Sequence, residues 1–199
     1  MTAGPVFYFD FGSPYAYLAA ERIERLIPSA RWQPILLGGL FKLNGRSSWA
    51  TGDPDRRRTG MAVVEGRARA YGLPPVRWPD PWPGNMLTAM RAATLAQQRR
   101  QEVGLALAAF RRAFVLGEDL GRPEAVLAAA RDAGLDADEV EAAVSDQAVK
   151  DALRRTTEDA HGRGVFGVPT VAVGNRLYWG DERLAEAARA VPGPPTHAP

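Results

Sequence analysis

Val6 to Phe11 is a short run of almost unbroken apolar and aromatic residues, the pattern of a strand covered on both faces. After Pro14 the apolar positions fall at Ala16, Ala19, Ala20, Ile23, Leu26 and Ile27, one face of a helix that Pro28 ends. Arg31 to Leu37 reads as a second strand, and Pro34, which cannot donate to a ladder, assigns it to an edge. Strand, helix and strand within forty residues predict a parallel pair with a right-handed crossover.

The pattern then changes. Gly38 to Asp55 is polar and Gly-containing and reads as a long loop, while Met61, Val64, Ala68 and Tyr71 mark a helix closed by Gly72 and Pro74. Leu73 to Asn85, with five prolines and two tryptophans, reads as a rigid extended connection. Helical spacing dominates from Met86 to Gly162; Asp136 and Glu139 have the form of a capping box. Strand signal returns at Thr170–Val173 and Arg176–Trp179, around the hairpin pair Gly174-Asn175. Asp181 to Ala190 closes the order as a short helix with Asp181 as its cap.

This order, β-α-β, then helices, then β-β-α, predicts an α/β thioredoxin-like fold interrupted by a large all-helical insertion. Residues 5–54 and 162–191 form the discontinuous thioredoxin-like domain. Residues 55–161 form the insertion, expected to cap one end of the sheet, and 192–199 a disordered tail.

Composition narrows the chemistry. The 199 residues carry 25 basic and 23 acidic side chains, and a net charge of +2 is too small to indicate nucleic acid as a partner. The arginine clusters, Arg56-Arg57-Arg58 among them, read as solvated helix faces. There is no cysteine, which excludes disulfides, Cys-based zinc sites and redox chemistry on a protein thiol. With His161 and His197 as the two histidines, no metal site is expected. No secretory leader pattern is visible and no apolar stretch has the length of a membrane span, so a soluble cytoplasmic protein is the expectation.

Two segments carry candidate chemistry. In Phe9-Asp10-Phe11-Gly12-Ser13-Pro14-Tyr15 the chain turns from strand to helix and leaves the Ser13 hydroxyl at the helix N-terminus. Ser13 is a preferred N-cap and Pro14 fits the first helical position. The unpaired N–H groups there also favour an anion or thiolate, so the segment fits both a cap and a site. Val168-Pro169-Thr170, after a turn-rich Gly164–Gly167, is either a proline that starts a strand or a cis peptide facing the first helix. Tyr15, Tyr17, Trp78 and Trp82 fit either core or a pocket for an aromatic molecule.

Five stretches in order resemble the 2-hydroxychromene-2-carboxylate isomerases, relatives of kappa-class glutathione transferases within the DsbA-like thioredoxin superfamily. They are Phe9–Leu18, Leu36–Lys42, Pro83–Arg91, Gly164–Thr170 and Trp179–Leu184. The resemblance implies a DsbA/kappa-transferase type of fold, with glutathione as cofactor and a small aromatic substrate. It implies Ser13 as catalytic residue, its hydroxyl donating to the glutathione sulfur where thiol oxidoreductases keep a cysteine. By the same motifs Lys42 would meet a ligand carboxylate, and Val168, beside Pro169, would pair its backbone with the cysteinyl unit. Glu182 and Arg183 would hold the γ-glutamyl end, and Asn44 and Asn85, with Lys42, would face the substrate. The loop Gly45–Trp49 and Glu182, in place of the family's aspartate, depart from the pattern. A homodimer is compatible with the resemblance, since relatives of this family are often dimers. The implied activity is a glutathione-dependent cis-trans isomerase working by reversible thiolate addition; alternatives are a kappa-type transferase and an inactive glutathione-binding protein.

Overall fold

The computed structural model describes residues 4–192, and all but the first residue of the tail assigned to 192–199 lies outside the described residues. In chain order the elements are β1 (Val6–Phe9), α1 (Pro14–Leu26), β2 (Arg31–Pro34), α2 (Leu37–Leu43), α3 (Pro54–Ala70), α4 (Leu87–Gln98) and α5 (Glu102–Arg111). After a π-helical turn at Arg112–Leu116 come α6 (Pro123–Asp132), α7 (Ala137–Ser145), α8 (Gln147–Gly162), β3 (Thr170–Val173) and β4 (Arg176–Trp179). A single 3₁₀ turn, Asp181–Arg183, leads into α9 (Leu184–Ala190).

The strands form one sheet in the order β2-β1-β3-β4, with β1 parallel to β2 and antiparallel to β3, and β3 antiparallel to β4. The hairpin turns at Gly174-Asn175, and Pro34 sits on the edge strand, both as the sequence predicts. Period-two alternation along β1 assigns its faces. Phe7 and Phe9 enter the main core with Trp32, Leu18, Ile23 and Phe110. Val6 and Tyr8 point the other way, into a second cluster with Ile35, Leu40, Ala160, Val165 and Ala172.

The structure corrects four local expectations. The stretch after β2 is not all loop, because α2 occupies its first third. Leu37, Leu40 and Phe41 have helical spacing, and Leu40 is fully buried in the second cluster. Gly38 and Gly39, poor helix formers, hide that pattern in the sequence. The helical segment does not simply cap one end of the sheet. α5 lies against α1 and reaches Phe9 of β1 through Phe110, while α8 helps cover the opposite face, where the Leu36 N–H donates to the Thr157 hydroxyl at 3.0 Å. The Asp136–Glu139 box is half formed: Asp136 accepts from the Asp138 N–H, but Glu139 pairs with Arg99. Asp181 caps no helix; it is completely buried within the 3₁₀ turn and bonds elsewhere.

Phe110 of α5 joins the helical segment to the sheet, its ring 6.0 Å from Phe9, 5.0 Å from Phe11 and 6.4 Å from Tyr17. Phe110→Ala should lower stability by about 3–5 kcal/mol, since a void would open where three elements meet. Urea unfolding should show a reduced midpoint with little change in slope.

Candidate active site

All four strands present a terminus at one end of the sheet, and the main cleft opens there. β1 and β2 run toward that end in parallel, β3 starts from it, and β4 returns to it. The segments that leave those ends are Asp10–Ser13, Leu36–Leu37, Gly167–Pro169 and Gly180–Glu182. Together with the loop from Gly45 to Trp49 they line a cleft of about 710 Å³.

Ser13 caps α1 in extended backbone geometry, its Oγ accepting from the Ala16 N–H at 3.2 Å. The same hydroxyl donates to the Val168 carbonyl at 3.2 Å, across 155 residues of chain. It is only 4% exposed, yet it lines the cleft. Pro14 brings no N–H, and those of Ala16 and Tyr17 are taken up by Ser13; the Tyr15 N–H has no partner among the described residues. The Val168–Pro169 peptide is cis, and the Val168 N–H also lacks a partner among the described residues. No histidine, lysine or carboxylate hydrogen-bonds the Ser13 hydroxyl among the described residues, so no general base activates it.

Beneath the Ser13 turn lies Asp10. One carboxylate oxygen accepts from the Gly12 N–H and the other from the Leu37 N–H, each at 2.7 Å. This ties the start of α1 to the start of α2. Burial pushes the Asp10 carboxyl up to about 6, against the pull of those two N–H groups.

A polar cluster forms the far side. Arg67 of α3 donates to Asp181 at 2.5 Å and to Glu182 at 2.7 Å, and the Tyr71 hydroxyl donates to Asp181 at 2.9 Å. Burial raises the Asp181 carboxyl, with Tyr71 and Arg67 opposing. Burial acts in the same direction on Glu182, but its own backbone N–H and Arg67 hold that carboxyl below the usual range. Gly180, at φ +109°, makes the turn into this segment; a Cβ there would sit 2.6 Å from the Glu182 carboxylate.

The residues singled out from the sequence divide into two groups. Ser13, Val168, Pro169 and Glu182 come together in the cleft. Lys42, Asn44, Asn85 and Arg183 are not among its lining residues. Lys42 is exposed on α2, and Asn44 closes that helix by donating to the Leu40 carbonyl. Asn85 accepts from the Leu87 N–H at the start of α4, and Arg183 pairs with Glu186. Of the aromatics, Tyr15 and Trp82 line the cleft, Tyr17 is core, and Trp78 stands behind Trp82 and donates to Glu65. The sequence reading missed Arg46, Trp49, Arg67, Phe166, Trp179 and Asp181, and treated Arg56 as a solvated face. Asp181 gave a signal as an acidic residue after Gly180, which pointed to a cap, while Phe166 and Trp179 lay in stretches that carry the resemblance without being singled out.

Fold and cleft together define a thioredoxin-fold protein with a helical insertion, a serine at the first helix N-terminus and a cis-proline loop opposite. The chain belongs to the DSBA-like thioredoxin domain family, which matches residues 6–191. It is 29% identical over 194 residues to a 2-hydroxychromene-2-carboxylate isomerase of Sphingobium xenophagum, covering 92% of this chain and 95% of that one. It is likewise 29% identical to glutathione S-transferase kappa 1 of Homo sapiens over 180 residues, 83% of this chain and 79% of the relative. A solved 2-hydroxychromene-2-carboxylate isomerase has the same fold, with a TM-score of 0.80 over 94% of this chain and 93% of its own, at 24% identity. These matched relatives are enzymes, isomerases and a transferase.

The Asp10 carboxyl makes stability depend on pH in a stated direction. Its folded value near 6 lies above the unfolded one near 3.8, so between those values the folded chain holds a proton the unfolded chain has released. Its contribution is therefore full below about pH 4 and lost as pH rises through 6, a change of about 3 kcal/mol at 1.4 kcal/mol per pH unit. Urea unfolding from pH 4 to 7 should show the wild type losing that amount relative to Asp10→Asn; parallel curves would contradict the assignment.

Proposed function

We propose that the protein is a glutathione-dependent cis-trans isomerase of 2-hydroxychromene-2-carboxylate or a similar aromatic carboxylate. The observation that carries this reading is the Ser13 hydroxyl, set at a helix N-terminus, facing Val168, and lacking a base, in a chain with no cysteine. A thiol used here must come from a bound molecule.

The donor set fits glutathione. Val168 offers a carbonyl, and an N–H with no partner among the described residues, to a peptide-like cysteinyl unit. Glu182 offers a carboxylate to an ammonium, and Arg67, held beside it by the buried Asp181, offers a guanidinium to a carboxylate. The cleft is of ordinary size for a small-molecule site, where about 300–1,000 Å³ is usual. Lys42, Asn44, Asn85 and Arg183 remain proposed contacts to glutathione or substrate; each would have to reach from outside the cleft lining.

When bound, glutathione supplies a thiolate that adds to a conjugated carbon, leaves a rotatable single bond, and departs as the double bond reforms. The chain's part is to hold that sulfur ionised. Ser13 keeps its Ala16 N–H bond and turns its proton from the Val168 carbonyl toward the sulfur, since a hydroxyl proton rotates freely. The bond from Ala16 polarises the hydroxyl and strengthens its donation. The N-terminus of α1 adds partial positive charge, and each unit by which the thiol pKa falls is worth about 1.4 kcal/mol. Arg46 and Arg56, which line the cleft without ion-pair partners among the described residues, can orient a substrate carboxylate.

A kappa-type transferase is the second reading, favoured by the human relative. The same ionised sulfur would then stay attached to the product. Mass spectrometry separates the two, since glutathione is regenerated by an isomerase and consumed by a transferase. Binding without turnover would leave an inactive glutathione-binding protein.

Ser13→Ala should reduce glutathione-dependent isomerisation by about 10²–10³-fold, the usual effect of losing one preorganised donor. Steady-state rates with 2-hydroxychromene-2-carboxylate test this, and an unchanged rate would defeat the mechanism. Millimolar glutathione should also raise the melting temperature of the wild type, because a ligand of the native state stabilises it.

A further inference from the structure

We propose that Trp49, seated on Gly60, is a specificity-determining residue that admits flat, conjugated anions of bicyclic size to Ser13. The inference rests on the isomerase reading for its chemistry but on separate geometry.

The indole lies where a side chain at position 60 would be. A Cβ on Gly60 would come within 2.1 Å of the Trp49 Cζ3, 2.5 Å of Cε3 and 2.7 Å of Cη2. A glycine inside α3 thus gives the ring a bare stretch of helix to rest on, at a cost of about 1 kcal/mol in helix propensity. From that seat the ring centre is 6.0 Å from Tyr15 and 5.3 Å from Trp82, and all three line the cleft. Tyr15 follows Ser13 by two residues, so this row of rings begins beside the hydroxyl.

A second aromatic wall flanks the loop that precedes β3. Phe166 and Trp179 are 4.9 Å apart, and the Arg46 guanidinium stands 5.2 Å over Phe166. Two ring-lined walls, with Arg46 over Phe166 and Arg56 also lining the cleft from α3, suit a planar molecule carrying a carboxylate. A small aliphatic acceptor gains little from either wall.

Calorimetric titration tests this, with coumarin-3-carboxylate as the flat bicyclic anion and maleate as the small one, neither needing glutathione. Trp49→Ala should weaken the bicyclic anion about tenfold, as expected for one lost aromatic contact, and leave maleate unchanged. Gly60→Ala should do the same from outside the cleft by displacing the indole, while favouring the helix. Trp49→Phe should fall between these and the wild type.

Bicyclic affinity within twofold of wild type in either alanine variant would overturn the proposal. So would an equal loss for both anions, which marks a general support of the cleft, or a wild type that does not bind the bicyclic anion. The melting-temperature shift with glutathione, taken on the same proteins, reads the isomerase proposal separately: its absence from the wild type would sink that reading while the anion titrations still judge Trp49.

Discussion

The Ser13 hydroxyl spans the gap between the first turn of α1 and the loop that precedes β3, and the shape of the cleft depends on that bridge. It accepts from Ala16 and donates to Val168, so one atom both caps a helix and holds the opposite wall in register. The sheet makes this possible. Because β1 is parallel to β2 but antiparallel to β3, the exit of β1 and the entry of β3 lie at the same end. A hydroxyl at the first and a carbonyl at the second are then within one hydrogen bond of each other.

Two further ties surround the bridge, both made by carboxylates taken out of water. Asp10 joins the turns after β1 and β2 through the N–H groups of Gly12 and Leu37. Asp181 joins the segment after β4 to α3 through Arg67 and Tyr71, and its carbonyl accepts from Arg22 of α1 at 3.2 Å. Desolvation makes each costly, yet each satisfies donors that burial would otherwise leave unpaired. The helical insertion is therefore part of the site, since Arg67 reaches the cleft from α3.

The elements whose register depends on local pattern were legible in the sequence. The apolar run of β1, the edge proline in β2, the Gly174-Asn175 turn and the Ser13-Pro14 helix start each have a short-range cause. Two of the cleft's key features, Ser13 and the Val168–Pro169 peptide, lie in such segments. What escaped was set by contacts far apart in the chain. Arg67 meets Asp181 across 114 residues, and Trp49 is fixed by the missing side chain at Gly60. No periodicity announces either. α2 was hidden for a local reason, a pair of glycines, which the burial of Leu40 overrides.

The bonding of Ser13 also limits what it can do. A serine becomes a nucleophile when a neighbouring base takes its proton, and this hydroxyl faces an amide N–H and a carbonyl instead. A carbonyl oxygen can receive the hydrogen bond but does not remove the proton at neutral pH. The hydroxyl is thus arranged as a donor that can be redirected, and a ligand must offer an acceptor better than the Val168 carbonyl to claim it. Ionised sulfur meets that requirement, since a hydrogen bond to a charged acceptor is worth roughly 1.5–3 kcal/mol against about 1 for a neutral pair. A thiol in its neutral form does not. In the proposed mechanism, the same geometry that gives Ser13 no route to covalent chemistry of its own would therefore discriminate between the two protonation states of a bound thiol.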